Sequence, residues 1–89
     1  MAKVGKEVII RNPQGLHARP AALFVQIASK YDATVSLIKD KEKVSGKSIM
    51  GILTLGANQN SKVFIEVDGE NAENILQELE SLLTSEEAI

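Results

Sequence analysis

The only histidine among 89 residues lies in the run Gly15-Leu16-His17-Ala18-Arg19-Pro20, two positions from one of two arginines and three from one of two prolines. Proline is tolerated in the first turn of a helix, because its missing N–H would have had no intrahelical partner there. From Ala21 to Tyr31 the residues are apolar or good helix formers, so a helix begins at this run. Helix starts usually carry Ser, Thr, Asp or Asn to satisfy the free backbone N–H groups. The candidate caps here are Ala18 and Arg19, and neither offers a side-chain oxygen. Open amides at the positive end of a helix dipole form an anion site. With an imidazole just before them and a guanidinium among them, the anion that fits is a phosphoryl group carried on His17. A lone histidine is more often an ordinary surface or core residue, and composition alone leaves the two readings about even.

A second stretch, Gly46-Lys47-Ser48-Ile49-Met50-Gly51, opens a short helix expected over residues 48–55. Ser48 is a good cap for it, which is the plain reading of that serine. Ile52 and Leu55 lie three apart and can face a sheet together. Ile49, Met50 and Leu53 spread over the remaining sides of a two-turn helix, so part of this apolar surface must be exposed. Methionine suits a contact surface because its thioether adapts to varied shapes. Ile49, Met50 and Leu53, together with Lys47 and Leu23, are the candidate partner residues.

The elements that must position these residues follow from periodicity. Lys3 to Arg11 reads as a strand with Val8 and Ile10 on one face, and Asn12-Pro13-Gln14-Gly15 reads as a turn, with Gly15 as a flexible approach. The helix from Ala18 to Tyr31 carries Ala21, Phe24, Val25 and Ala28 as a buried stripe, widened by Leu23 and Ile27. Thr34 to Ile38 and Glu42 to Ser45 form a hairpin through Lys39-Asp40-Lys41. Lys62 to Asp68 is a fourth strand with Val63, Ile65 and Val67 on one face. Asn71 should cap a last helix whose Ala72, Ile75, Leu76, Leu79, Leu82 and Leu83 follow helical spacing. After Thr84 the tail is polar and expected to fray. The order βαββαβα, with strands apolar on one face, predicts an α+β fold: a two-layer open-faced sandwich with three helices on one side of the sheet.

Composition narrows the function classes. Eighty-nine residues fit one domain, taken as residues 1–89. The absence of cysteine removes disulfides and thiolate ligands, and one isolated histidine does not make a transition-metal site. No metal and no cofactor is therefore expected. A net charge of −2 with 3% aromatic residues argues against direct nucleic-acid binding. No apolar run reaches membrane-spanning length and no signal-peptide layout is evident, so the expected location is cytoplasmic. A conventional enzyme is disfavoured, since no second acid–base group pairs evidently with His17 and no glycine-rich nucleotide loop occurs.

The runs Asn12-Pro13-Gln14-Gly15-Leu16-His17-Ala18-Arg19-Pro20-Ala21 and Gly46-Lys47-Ser48-Ile49-Met50-Gly51 together resemble the HPr family of histidine-containing phosphocarriers, nearly end to end. That resemblance implies a sheet order of 1-4-2-3 within the sandwich. It implies that His17 accepts a phosphoryl group on Nδ1 from enzyme I of the bacterial sugar phosphotransferase system and passes it to enzyme IIA domains. Arg19 would stabilise the phosphoryl group, alongside the Ala18 backbone amide. Ser48 would be the serine that an ATP-dependent HPr kinase/phosphorylase modifies, linking the chain to carbon catabolite regulation and to a transcription regulator. Ser29-Lys30-Tyr31-Asp32-Ala33 and Lys47-Ser48-Ile49-Met50-Gly51 look like the Gram-positive branch. A related branch lacking a phosphorylatable residue at the histidine position is excluded by His17. The chain would act as a carrier, not as a turnover enzyme; a monomer is the default expectation for a chain this small. Two alternatives stay open: the carrier of the nitrogen-related phosphotransferase chain, and a regulatory module acting mainly through Ser48.

Overall fold

The computed structural model describes residues 2–87. Its elements run β1 (Ala2–Ile9), α1 (Ala18–Ser29), β2 (Thr34–Lys39), β3 (Glu42–Ser45), α2 (Ile49–Thr54), β4 (Lys62–Gly69) and α3 (Ala72–Leu83). The four strands form one antiparallel sheet in the order β1-β4-β2-β3. The α+β open-faced sandwich follows from alternation: Val63, Ile65 and Val67 of β4 are buried under the helices, while Phe64 on the opposite face is exposed. Glu7 and Ile38 flank Phe64 in register. Nearby, Lys3 and Lys43 converge on Glu66 at 3.6 and 3.1 Å, and the hydrogen bond from Lys43 is the main cause holding the Glu66 carboxyl below its ordinary range.

The core joins Val8, Ile10, Val35, Leu37 and the inner face of β4 to Ala21, Phe24 and Ala28 of α1, Ile52 of α2, and Ile75, Leu79 and Leu83 of α3. Phe24, Ile52, Ile75 and Leu79 are fully enclosed. Truncating a buried phenylalanine costs about 3–5 kcal/mol, so Phe24 anchors the helix that begins beside His17. A second tie holds the other end of α1. Tyr31 Oη and Lys30 Nζ each donate to the Glu78 carboxylate of α3 at 2.9 Å. These two bonds, led by that from Lys30, keep the Glu78 carboxyl below its ordinary value.

Several boundaries differ from the sequence reading for identifiable reasons. The cap of α1 is His17 itself, not Ala18 or Arg19: its backbone is extended and its carbonyl accepts from Ala21 N at 3.0 Å. The helix ends at Ser29, where Lys30 and Tyr31 close a tighter turn onto Ile27 and Ala28. Asn71 does start α3, but with φ at 59° and no side-chain cap bond. It serves there as a residue that tolerates the left-handed conformation. Asp40 does the same in the two-residue turn between β2 and β3. The tail expected to fray begins tethered, since the Ser85 carbonyl accepts from Asn12 Nδ2 at 3.1 Å; residues 88 and 89 lie outside the described range.

Candidate functional site

The turn before α1 is held from three sides. Gly15 N donates to Asn12 O at 2.9 Å, closing a four-residue turn with Pro13 at its second position, where a fixed φ near −65° is favoured. Gly15 is not a flexible approach but a close one. Its φ is +71°, and a Cβ there would lie 2.6 Å from Ala57 O. Leu16 N donates to Ala57 O at 2.8 Å, and the Leu16 side chain is buried. On the far side, Arg11 N donates to Leu83 O at 2.8 Å.

His17 follows directly and is half-buried, not packed into the core. Its side chain makes no cap hydrogen bond, and the first turn of α1 holds no acidic residue. Pro20 has no N–H to offer, and Ala21 N is used by the His17 carbonyl. Two helical donors are left, Ala18 N and Arg19 N, and neither has an acceptor among the described residues. Arg19 is exposed and its guanidinium has neither an ion-pair nor a hydrogen-bond partner among the described residues, in contrast to Arg11, whose guanidinium donates to Asn60 Oδ1 at 2.7 Å. Half-buried imidazole, open amides and free guanidinium can together receive a doubly charged oxyanion through charge-assisted hydrogen bonds. Among the described residues no group of three or more His, Cys, Asp or Glu could hold a metal ion, and no helix is long and apolar enough to cross a membrane.

The second candidate region behaves differently. Ser48 caps α2, its Oγ accepting from Gly51 N at 3.0 Å. Ile49 and Met50 are exposed at 41% and 70%, whereas Ile52 and Leu55 are buried and Leu53 is half-buried against the core. Lys47 is exposed, but its ammonium is occupied: Nζ donates to Tyr31 O at 2.8 Å. Leu23 on α1 is half-buried.

These contacts fix the relative direction of the two helices. Lys47, just before α2, reaches Tyr31 beyond the end of α1, and a Cβ at Gly46 would meet Phe24 at 3.0 Å. Ala57, just after α2, meets Leu16 at the start of α1. The helices therefore run antiparallel, and Ser48 lies toward the opposite end of α1 from His17. Sequence reading did not anticipate that separation. It also missed Asn12, a buried polar residue in a turn; an Asn-Pro pair signals a turn but not burial.

A family model described as "PTS HPr component phosphorylation site" matches residues 4–85. The chain belongs to the HPr family. It is 40% identical over 79 residues to phosphocarrier protein HPr of Treponema pallidum (strain Nichols), covering 89% of this chain and 90% of that relative. Its fold superposes on the crystal structure of a phosphocarrier protein HPr from Bacillus anthracis with a TM-score of 0.88 at 41% identity, covering 93% and 99% of the two chains. A crystal structure of Crh from Bacillus subtilis, described as a swapped-domain dimer, matches with a TM-score of 0.75 at 38% identity over 97% of this chain and 98% of that one. The HPr match spans both helix starts, His17 and Ser48 included.

Proposed function

We propose that this chain is a phosphoryl carrier of the phosphoenolpyruvate-dependent sugar phosphotransferase system, with His17 as its acceptor. The observation that carries the reading is the start of α1: an accessible imidazole beside two unengaged amides and an unpaired arginine. The Nδ1 lone pair attacks the phosphorus on phosphorylated enzyme I. The new N–P bond forms as the bond to the donor breaks, and the reverse displacement hands the group to an enzyme IIA domain. Ala18 N, Arg19 N and the Arg19 guanidinium hold the phosphoryl oxygens in between, and a planar fork binds two of them better than an ammonium does. The imidazole attacks in its neutral form, the one with a free ring lone pair. Nothing is turned over by the chain alone, so it is a carrier and not an enzyme. A monomer is the proposed working state; the swapped dimer described for the Bacillus subtilis relative is the alternative, and sedimentation velocity separates them.

Incubation with phosphoenolpyruvate and enzyme I tests the assignment. The expected product carries acid-labile, base-stable phosphate, and His17→Ala abolishes its formation. Full uptake by His17→Ala would end the reading. Phosphorylation by the nitrogen-related enzyme I in place of the sugar-system one would move the chain to that parallel pathway.

A second reading concerns Ser48 as a site for an ATP-dependent HPr kinase/phosphorylase. It is supported by the serine's place beside exposed Ile49 and Met50. A phosphate there adds about two negative charges at a helix start, which the helix tolerates. Because Ser48 and His17 lie toward opposite ends of α1, the effect passes through partners that cover both: repulsion of enzyme I and a new surface for a transcription regulator. Ser48→Asp should accept phosphate from enzyme I more slowly than the parent; an equal rate contradicts the repulsion.

A further inference from the structure

We propose that Asn12 is a positioning residue for phosphoryl transfer, its carboxamide pinning the His17-bearing turn to the C-terminal end of α3. This rests on the reading of His17 as the acceptor. Asn12 is 1% exposed, unusual for an amide in a connecting turn. Both of its donor hydrogens are used, Nδ2 reaching Leu82 O at 2.9 Å and Ser85 O at 3.1 Å. The last four carbonyls of a helix lack intrahelical donors, and here the turn reaches two of them: Asn12 Nδ2 serves Leu82, which also accepts from Ser85 N at 3.4 Å, and Arg11 N serves Leu83 at 2.8 Å. Through its main chain the same residue closes the turn, accepting from Gly15 N at 2.9 Å. Asn12 thus joins the helix end to the turn with no intervening side chain, and His17 lies two residues beyond Gly15.

The amide is also incompletely satisfied. Asn12 Oδ1 is buried without a hydrogen-bond partner. A buried orphan acceptor is costly, and in folded proteins it calls for a specific explanation. The explanation here is that the two donors must come from one rigid planar group at this spot. Phosphoryl transfer between two proteins requires the imidazole to meet phosphorus in line, and small displacements of a reacting group lower rates steeply. The second anchor, Leu16 N on Ala57 O, fixes the turn against the segment after α2 but not against α3. Without the Asn12 carboxamide the turn is tied to α3 by a single main-chain bond, Arg11 N on Leu83 O, and the segment between that bond and Leu16 is looser.

The test compares phosphoryl uptake from phosphorylated enzyme I by the parent, Asn12→Ala and Asn12→Asp at a temperature where circular dichroism shows each to be folded. Asn12→Asp keeps the shape but sets a carboxylate oxygen against two carbonyl oxygens. Leu79→Val, a core change in α3, serves as a control that lowers stability without touching the turn. The expected result is a maximal rate lowered by about tenfold to a hundredfold in both Asn12 variants, with the KM for enzyme I within twofold. The amide resonances of Leu16, Ala18 and Arg19 should shift in both, while Leu79→Val keeps the parent's rate. If the parent is phosphorylated and the folded Asn12 variants match it, the positioning role is wrong and Asn12 only stabilises α3. If Asn12→Asp alone matches it, shape and not donation is what counts, and the proposal also fails. A parent that takes up no phosphate overturns the carrier reading and this inference with it.

Discussion

Helices α1 and α3 are each 12 residues long, and neither start has a side-chain cap bond. What surrounds the two starts differs. The start of α3 has Glu73 in its first turn, so a carboxylate of the chain's own already faces the positive end of the dipole. The start of α1 has no acid, an unpaired Arg19, and a proline that leaves only Ala18 and Arg19 as donors. The third start, at α2, is closed by Ser48 Oγ. A missing cap is therefore not what marks a site for a transferable anion. On the proposed reading of His17, the mark is a missing cap together with a missing counter-charge and an added cation.

That comparison can be broken from either side. Arg19→Ala removes the added cation and should slow uptake from enzyme I roughly tenfold to a hundredfold, the loss of one charge-assisted hydrogen bond, with unchanged circular dichroism. Arg19→Lys should recover part of the rate. Uptake by Arg19→Ala at the parent's rate would leave the open amides as the whole site. Ala18→Glu works the other way, by giving α1 the first-turn acid that α3 has. It should raise thermal stability by about 0.3–1 kcal/mol and lower uptake roughly two- to fivefold, since the same dipole interaction now competes with the phosphoryl group. A stabilised variant with undiminished uptake would show that the dipole contributes nothing to holding the anion.

The parts of this fold that follow a period were readable in advance. Val63, Ile65 and Val67 alternate, Ile75, Leu76, Leu79 and Leu83 recur at helical spacing, and both sets are buried as expected. Spacing sets Ile52 and Leu55 apart from Ile49, Met50 and Leu53; burial follows for Ile49 and Met50, while Leu53 is half-buried against the core. The strand order did not follow from periodicity and came from family resemblance. What escaped reading depends on backbone conformation or on distant parts of the chain. Asn71 is a favoured cap residue by type, yet its left-handed backbone gives it another use. Gly15 needs the nearness of Ala57 to be understood, across about forty positions. Asn12 looks like a turn former until its partners, Leu82 and Ser85 at the other end of the chain, are seen. The antiparallel run of α1 and α2, which sets His17 and Ser48 apart, rests on contacts of the same long-range kind.

The most direct measurement follows backbone amides by NMR as enzyme I and phosphoenolpyruvate load the chain with phosphate. The Ala18 and Arg19 resonances should move strongly downfield, with the phosphorus coupled to the His17 ring, while the Ala72 and Glu73 amides at the start of α3 stay in place. Loading that leaves Ala18 and Arg19 unmoved, or that places the phosphorus on another residue, would contradict the account.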